Sequence, residues 1–241
     1  MFFVYAWYNH SNAPHNGVAT VYFFIDHMHI DDLAEVHRID AQSFPYQWST
    51  TTYMNELSAP HHSRYVVVRV SPHLPGSSST TNTPLSPLQR LLNRWRAPIV
   101  PTPAPRLPIA GHAGIWLSLD DGHITTIAVH PDYRRQGVGE LLMLGLIDQA
   151  YELKAQQLTL EVRVSNIAAQ NLYVKFGFRH QGERKRYYTD NGEDASIMWT
   201  DDIHSAAFHE RVRELRQQLY RRLQTTPVVL ATTPVAPVTP Q

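Results

Sequence analysis

Residues 124–150 constrain the fold of this chain more than any other segment. They start with a β-branched run that Pro131 interrupts, continue through a turn with two arginines and two glycines, and then take on helical spacing. Proline ends a strand because it has no backbone N–H to donate, whereas apolar residues three and four positions apart are typical of a helix. The sequence therefore predicts a strand, a basic turn and a helix that begins at Val138.

The turn between this strand and this helix is predicted to bind a pyrophosphate group. A helix N-terminus presents unpaired backbone N–H groups to an anion, and Gly137 and Gly139 have no Cβ that would keep a phosphate away. Arg134 and Arg135 add cationic donors that suit phosphate. The spacing matches neither the dinucleotide-binding fingerprint nor the P-loop, and a strand–turn–helix with glycines for tight packing remains the alternative. The candidate residues are Arg135, Gln136, Gly137, Val138, Gly139 and Glu140.

A second strand and helix are predicted after this helix. Residues 157–162 alternate between apolar and polar side chains, which is typical of a half-buried strand and puts Glu161 on its polar face. The next helix is expected to begin after Ser165 or Asn166, which are good N-cap residues. It is expected to end at Gly177.

Two motifs in these units resemble the acetyl-CoA site of the GNAT superfamily of N-acetyltransferases. The pattern Arg134-x-x-Gly137-x-Gly139 is similar to the first half of that site, and residues 166–178 are similar to the second half. The two halves occur in the order and at the separation that the superfamily has. Two matched halves are more specific than one short motif.

One branch of that superfamily is more closely similar, namely the bacterial ribosomal-protein alanine N-acetyltransferases (the RimI type). The segments that carry this similarity are residues 39–49, 160–166, 187–188 and 193–198. Tyr46 and Gln47 are inserted after Pro45, where the branch has a continuous Pro-Trp-Ser stretch. The resemblance covers about residues 21–70 and 109–200, and it leaves out both ends of the chain and the middle.

The resemblance implies an α/β (α+β) fold with a mixed, mostly antiparallel sheet of about seven strands and helices on both faces. It also implies that a parallel pair, the strands ending at Val129 and Val162, splays apart at the acetyl-CoA site. The residues themselves predict strands at 21–27, 64–70 and 109–119, a helix capped by Asp31 or Asp32, a helix at 49–57 and a tight turn at 120–122.

The resemblance also implies roles for the residues around the thioester. Asn166 would hydrogen-bond the pantetheine arm while it caps its helix, and that arm would pair with the strand edge at Ile127, Ala128 and Val129. Glu161 would act as general base on the attacking amine, and Tyr173 as general acid toward the leaving thiolate. A solvated strand glutamate and an aromatic ring packed under the sheet are the alternatives for these two residues.

The implied reaction is acetyl transfer from acetyl-CoA, as co-substrate, to a protein N-terminal α-amine. The closer branch implies the N-terminal alanine of ribosomal small-subunit protein eighteen as acceptor, after removal of the initiator Met. Trp48, Tyr187 and Tyr188 are expected to line the peptide groove, or else to pack on one another at its rim. The alternatives are another protein N-terminus, a lysine or a small amine as acceptor, and a non-catalytic acetyl-CoA-binding module.

Composition disfavours several other function classes. The chain has no cysteine, so it has no disulfide framework and no cysteine nucleophile or metal ligand. Its 14 histidines show no zinc-protease spacing, and no metal is expected. A formal net charge of zero gives no field that would attract nucleic acid or a membrane. Because no signal peptide or spanning segment is recognised, a cytoplasmic protein is expected.

The chain is predicted to consist of a core domain with additions. The predicted parts are an N-terminal extension at 1–20, the acetyltransferase domain at 21–200, a Pro/Ser/Thr-rich insertion within it at 71–108, an amphipathic helix at 201–224 and a disordered tail at 225–241. The insertion holds 9 of the 17 prolines and buries too little apolar surface to offset its ordering entropy. It is interpreted as a surface insertion, with a docking element for a partner as the alternative.

The predicted C-terminal helix carries an apolar stripe that needs a cover. Asp201 or Asp202 is expected to cap it, and the stripe consists of Phe208, Val212, Leu215, Leu219 and Leu223. A stripe of this length is not expected to stay in water. We expect it to dock on its own domain or on a second copy, which would give self-association through 201–224, with a ribosomal or other partner as the alternative.

Overall fold

A seven-stranded sheet forms the centre of the structure, which is a computed structural model of the 241-residue chain. The structure describes residues 4–5, 22–71, 106–223 and 228–229. Most of the predicted N-terminal extension, insertion and tail therefore lies outside the described residues.

The elements of the main domain agree closely with the predicted ones. In chain order they are β1 (Tyr22–His27), α1 (Leu33–Ala41), α2 (Thr50–Leu57), β2 (Ser63–Ser71), β3 (Ile109–Ser118), β4 (Asp121–Val129), α3 (Val138–Leu153), β5 (Gln157–Arg163), α4 (Ile167–Lys175), β6 (Arg179–Tyr188), β7 (Glu193–Trp199) and α5 (Ala206–Arg222). A 3-10 turn at Pro131–Tyr133 follows β4. The predicted strand, turn and helix around Pro131 and Val138 are confirmed.

The sheet contains one parallel pair. Its strand order is β1-β2-β3-β4-β5-β7-β6, and all neighbours are antiparallel except β4 and β5. A register shift in the β3–β4 ladder leaves Thr125 as an extra residue in β4, which is the form of a β-bulge. The predicted mixed, mostly antiparallel sheet is confirmed.

Apolar clusters cover both faces of this sheet, as predicted. One face packs α3, α4 and α5 over a large cluster that includes Leu141, Leu160 and Phe176. The other face packs α1 and α2 over a smaller cluster that includes Val36 and Tyr53. Burial of one large aliphatic side chain contributes about 1.5–3 kcal/mol, so both faces add substantially to stability.

The helix caps differ from the predicted ones at two places. Ser205 caps α5 by accepting a hydrogen bond from the Phe208 N–H at 3.3 Å, and the expected caps Asp201 and Asp202 lie before it. Asp32 precedes α1 but makes no cap hydrogen bond to that helix. A serine hydroxyl three to four residues closer to the helix competes better for the free N–H groups than a distant carboxylate.

The carboxylate of Asp32 is used elsewhere in the fold. It is buried, binds the guanidinium of Arg69 at 2.9 Å and accepts the His29 N–H at 2.8 Å. The predicted turn at 120–122 is also displaced, because Ser118 already pairs with Asp121 and the chain reverses at Leu119. The first error arises because the sequence does not show that a distant arginine takes the Asp32 carboxylate.

The C-terminal helix α5 docks on its own domain. Phe208, Val212, Leu215, Leu219 and Leu223 are all buried in the larger cluster. An ion pair of 2.6 Å between Arg216 and Asp148 also ties α5 to α3. Docking of this helix on its own domain, the first of the expected sites, is thus confirmed. The stripe is covered within one chain, so it leaves no apolar face for the predicted self-association through 201–224.

The predicted insertion at 71–108 has narrower bounds in the structure, because residues at both of its ends belong to the described fold. Ser71 belongs to β2, and the Val70 N–H donates to the Pro108 carbonyl at 2.8 Å. Arg106 forms an ion pair with Asp31 at 2.8 Å. In the predicted disordered tail, Val228–Val229 forms a short strand that pairs with Val4–Tyr5, so that prediction is wrong at these two residues.

Candidate active site

A wedge-shaped cleft opens between β4 and β5. The two strands pair only at their beginnings, where Asp121 lies beside Gln157 and His123 beside Thr159. Beyond His123, β4 continues along β3, whereas β5 continues along β7. The predicted splayed parallel pair is therefore confirmed, and the cleft opens toward the start of α3.

The cofactor residues predicted on β4 lie along this cleft. Ile127, Ala128 and Val129 pair with β3 on one side, and no described strand pairs with their other side. An unpaired strand edge offers backbone N–H and C=O groups to an extended ligand. The pantetheine arm is such a ligand, so this edge fits the role that the sequence predicts for it.

The start of α3 provides free donors at the mouth of the cleft. The first helical hydrogen bond runs from the Leu141 N–H to the Gly137 carbonyl at 3.0 Å. The backbone N–H groups of Val138, Gly139 and Glu140 precede this bond and have no partner within the helix. Together with the positive end of the helix dipole they favour an anion.

Side chains of the turn hold it in place. Arg134 donates from Nε to the Val129 carbonyl at 3.1 Å, and Gln136 donates from Nε2 to the Asp132 carbonyl at 2.8 Å. Arg135 has φ of 62°, the left-handed region that is uncommon for a residue with a side chain. Its side chain is exposed at the turn, where it can approach a phosphate group.

The two glycines of the turn differ in the room that the protein leaves around them. Gly137 has φ of 87°, and a Cβ built there would lie 3.1 Å from Leu219 and 3.3 Å from Leu223 of α5. At Gly139 a Cβ would meet Leu172 at an ordinary 3.4 Å. The turn therefore packs against α5 at Gly137, a contact that the sequence did not indicate.

Glu140 joins the two helices that flank α3. Its carboxylate binds Lys175 of α4 at 2.6 Å and Arg222 of α5 at 2.5 Å. A carboxylate has no proton to donate, so Glu140 can offer an anion only its backbone N–H. The cations Lys175 and Arg222 offset the negative charge of Glu140 beside the anion site.

Glu161 lies in the cleft between His123 and Arg184. Its Oε2 is 3.2 Å from His123 Nε2 and its Oε1 is 3.2 Å from Arg184 Nη2. The side chain of Glu161 is only 6% exposed. Hydrogen bonding to His123, with a further contribution from Arg184, holds the pKa of Glu161 below its ordinary value.

Tyr173 lies on the opposite face of β5 from Glu161. It is buried in the cluster that contains Leu160 and Val162, whose side chains alternate with Glu161 along the strand. Burial, with Tyr188 as a second cause, raises the pKa of Tyr173, so its phenol stays protonated at neutral pH. The two predicted catalytic groups therefore flank β5 from its two sides.

The predicted peptide-groove aromatics form two separate groups. Tyr187 and Tyr188 pack edge to face at 5.2 Å, and burial, with Glu161 as a further cause, raises the pKa of Tyr187. Trp48 packs instead on Tyr53 at 5.6 Å and on Tyr65. The rim packing considered as an alternative holds for the two tyrosines but does not include Trp48.

Asn166 fulfils the structural part of its predicted double role. Its Oδ1 accepts the Ala169 N–H at 3.1 Å and so caps α4. The residue is exposed at the end of β5. Its amide nitrogen is the group that would be left for a ligand.

Sequence reasoning missed the two residues that contact Glu161. His123 lies in β4 and Arg184 in β6, so the three residues come from three strands. Arg184 could not be placed from the sequence, because the register between β6 and β7 shifts on both sides of it. A signal existed for His123, since it precedes Ile124 in an alternating strand and therefore belongs to the opposite, polar face.

Two further searches cover only the described part of the chain. Within residues 22–71 and 106–223, no cluster of three or more His, Asp or Glu side chains is arranged to hold a metal ion. The described helices include none that is long and apolar enough to cross a bilayer.

Comparison with known proteins agrees with this geometry. The profile of the acetyltransferase (GNAT) family matches residues 104–178. A Bacillus subtilis (strain 168) relative with the proposed name [ribosomal protein bS18]-alanine N-acetyltransferase is 37% identical over 175 residues, which cover 73% of this chain and 93% of the relative. The chain belongs to the GNAT family of acetyltransferases, and it is an N-acetyltransferase.

A relative matched over a shorter stretch and a solved structure carry related names. The [ribosomal protein bS18]-alanine N-acetyltransferase of Escherichia coli (strain K12) is 48% identical over 92 residues, which cover 37% of this chain and 62% of the relative. The crystal structure of the ribosomal-protein-S18-alanine N-acetyltransferase from Escherichia coli superposes with a TM-score of 0.52 at 27% identity, covering 74% of this chain and 92% of the other.

Proposed function

We propose that this enzyme transfers the acetyl group of acetyl-CoA to a protein N-terminal α-amine, and that the acceptor is the N-terminal alanine of ribosomal protein bS18. The observation that carries this proposal is the parting of β4 and β5 beyond His123 and Thr159. It leaves a strand edge, a free helix N-terminus and a carboxylate around one cleft. The names of the relatives support the acceptor.

The proposed cofactor contacts follow the free backbone groups. The N–H groups of Val138, Gly139 and Glu140 would hold the pyrophosphate, with Arg135 and Gln136 beside them. The edge at Ile127, Ala128 and Val129 would align the pantetheine arm. A backbone N–H of this edge would also stabilise charge that develops on the carbonyl oxygen, an effect of about 3–4 kcal/mol per donor.

The proposed proton transfers use the two groups on either side of β5. An N-terminal amine has a pKa of about 8, so at neutral pH it needs only moderate help to lose its proton. The basic centre at Glu161 would provide that help, and the protonated phenol of Tyr173 would donate to the leaving thiolate. Proton transfer by a positioned group typically contributes about 10²–10⁴-fold.

The acceptor can be tested with a panel of peptides. The first residues of bS18, beginning with its alanine, are compared with versions that begin with Ser, Gly or Met. A control peptide has a blocked α-amine and one free lysine. Formation of free CoA gives kcat/KM, and mass spectrometry locates the acetyl group.

We expect the alanine peptide to have the highest kcat/KM and the acetyl group to lie on its α-nitrogen. Faster transfer to the lysine control would show that side-chain amines are the acceptors. Turnover of a Ser- or Met-initiated peptide above that of the alanine peptide would keep N-terminal acetylation but exclude bS18 as the preferred acceptor. Binding of acetyl-CoA with no transfer to any amine would contradict the enzymatic proposal.

A further inference from the structure

The basic centre of the cleft is a pair of side chains rather than one carboxylate. Both oxygens of Glu161 are held, Oε2 by His123 and Oε1 by Arg184, at 3.2 Å each. The Glu161 side chain is 6% exposed, whereas the side chain of His123 is 26% exposed. The imidazole is therefore more accessible to solvent than the carboxylate.

His123 occupies the point at which the parallel strands separate. It is the last residue of β4 that pairs with β5, and its ring packs edge to face on Trp116 at 5.9 Å. In the neutral imidazole, the tautomer that donates from Nε2 to the carboxylate leaves its lone pair on Nδ1. An imidazole oriented in this way by a carboxylate is the arrangement of a general base.

We propose that His123 is the residue that accepts the proton of the attacking amine, and that Glu161 is a positioning residue that orients the imidazole and stabilises its cationic form. This inference rests on the proposed acetyl transfer and assigns the base within it. The low pKa of Glu161 agrees with the assignment, because hydrogen bonding to His123 already weakens that carboxylate as a base. Arg184 fixes the other oxygen and adds to the same effect.

The proposed step balances without another reactant. The amine nitrogen forms a bond to the acetyl carbonyl carbon, and the carbon–sulfur bond breaks. The proton of the amine moves to Nδ1 of His123, directly or through one water, and the phenol proton of Tyr173 moves to the thiolate. Solvent then returns a proton from the imidazolium to the phenolate, which restores both groups.

Two substitutions separate proton transfer from mere positioning. In His123→Gln the side-chain amide can still donate to Glu161, but it cannot accept a proton at neutral pH. In His123→Ala the ring is replaced by a space into which free imidazole can enter. His180→Ala, at an exposed position of β6, serves as the matched control, and all proteins are assayed with the best peptide acceptor of the wild-type enzyme.

We expect both His123 variants to bind acetyl-CoA as the wild type does and to lose at least about 100-fold in kcat. Imidazole should restore activity to His123→Ala but not to Glu161→Gln. A His123→Gln enzyme with at least half of the wild-type kcat would overturn the inference and leave Glu161 as the base. Failure of imidazole to raise the activity of a folded His123→Ala protein would also overturn it. An inactive wild type would contradict the proposed function instead.

Discussion

The two halves of the cleft are built in different ways. The half that would hold the phosphates consists of six consecutive residues, Arg135 to Glu140, and works through backbone N–H groups at the start of α3. The half that would move protons takes His123, Glu161 and Arg184 from three separate strands. A continuous backbone motif can be recognised along the chain, whereas a side-chain cluster exists only once the strands are paired.

The largest expected effect concerns the proton-transfer half. Glu161→Gln should lower kcat by about 10²–10⁴-fold, because the amide cannot stabilise a protonated partner. Part of the loss should be recovered toward pH 9, where the amine is already neutral. Initial rates between pH 6 and 9 check both expectations.

A control for this variant is Glu210→Gln, which removes a carboxylate from an exposed ion pair with Arg213. It should leave kcat unchanged. The pKa of Glu161 lies below 4.5, so its own ionisation should not appear in this pH range. Equal rates for Glu161→Gln and wild type would show that this half of the cleft has no role in proton transfer.

The next prediction tests whether the packing of α5 stabilises the turn that would bind the phosphates. Leu219→Ala removes a buried side chain that packs beside Gly137 and should cost about 2–5 kcal/mol in the free energy of unfolding. Its affinity for acetyl-CoA should also fall, while kcat at saturating acetyl-CoA stays near wild type. Denaturant unfolding and calorimetry measure the two quantities.

Leu119→Ala is the matched control, because Leu119 is 92% exposed at the β3–β4 turn. It should change neither stability nor affinity appreciably. If Leu219→Ala lowers stability but leaves the affinity for acetyl-CoA intact, α5 contributes to the core but not to the phosphate turn.

A smaller effect is expected for the proposed acid. Tyr173→Phe should lower kcat by about 100-fold, the lower limit typical of general acid–base groups, and leave the affinity for acetyl-CoA unchanged. Tyr46→Phe, at a ring that is 70% exposed, is the control. A Tyr173→Phe enzyme with wild-type kcat would make Tyr173 a packing residue, and water would then protonate the thiolate.

The smallest effect concerns the backbone of the turn. Gly137→Ala should cost about 1–2 kcal/mol, because φ is 87° and the new Cβ would press on Leu219. Gly139→Ala should be nearly neutral, since its Cβ has ordinary contacts. Thermal unfolding of both variants measures these two changes in stability. Equal melting temperatures would mean that α5 adjusts freely to the turn.

Local patterns predicted most of the fold. The strand–turn–helix at Val138, the cap at Asn166 and the stop at Gly177 depend on neighbouring residues, and all three are confirmed. Two features that the sequence did not show depend on distant partners. Asp32 binds Arg69 instead of capping α1, and Leu219 determines the surroundings of Gly137.

In the candidate site, too, the residues of a local motif were predicted and the contacts between distant strands were not. Glu161 was recognised because its strand and the following helix form one continuous motif. Its contact with His123 joins positions 38 residues apart in sequence, through a parallel pairing of only three residues from each strand. No local pattern specifies that register.

The most direct measurement of the division between the two halves is the dissociation constant of acetyl-CoA for Glu161→Gln, determined by calorimetry on a folded protein. If the phosphate turn and the β4 edge hold the cofactor and Glu161 serves only proton transfer, this constant equals that of the wild type while kcat is strongly reduced. A large loss of acetyl-CoA affinity in Glu161→Gln would contradict the division and make Glu161 part of the cofactor site.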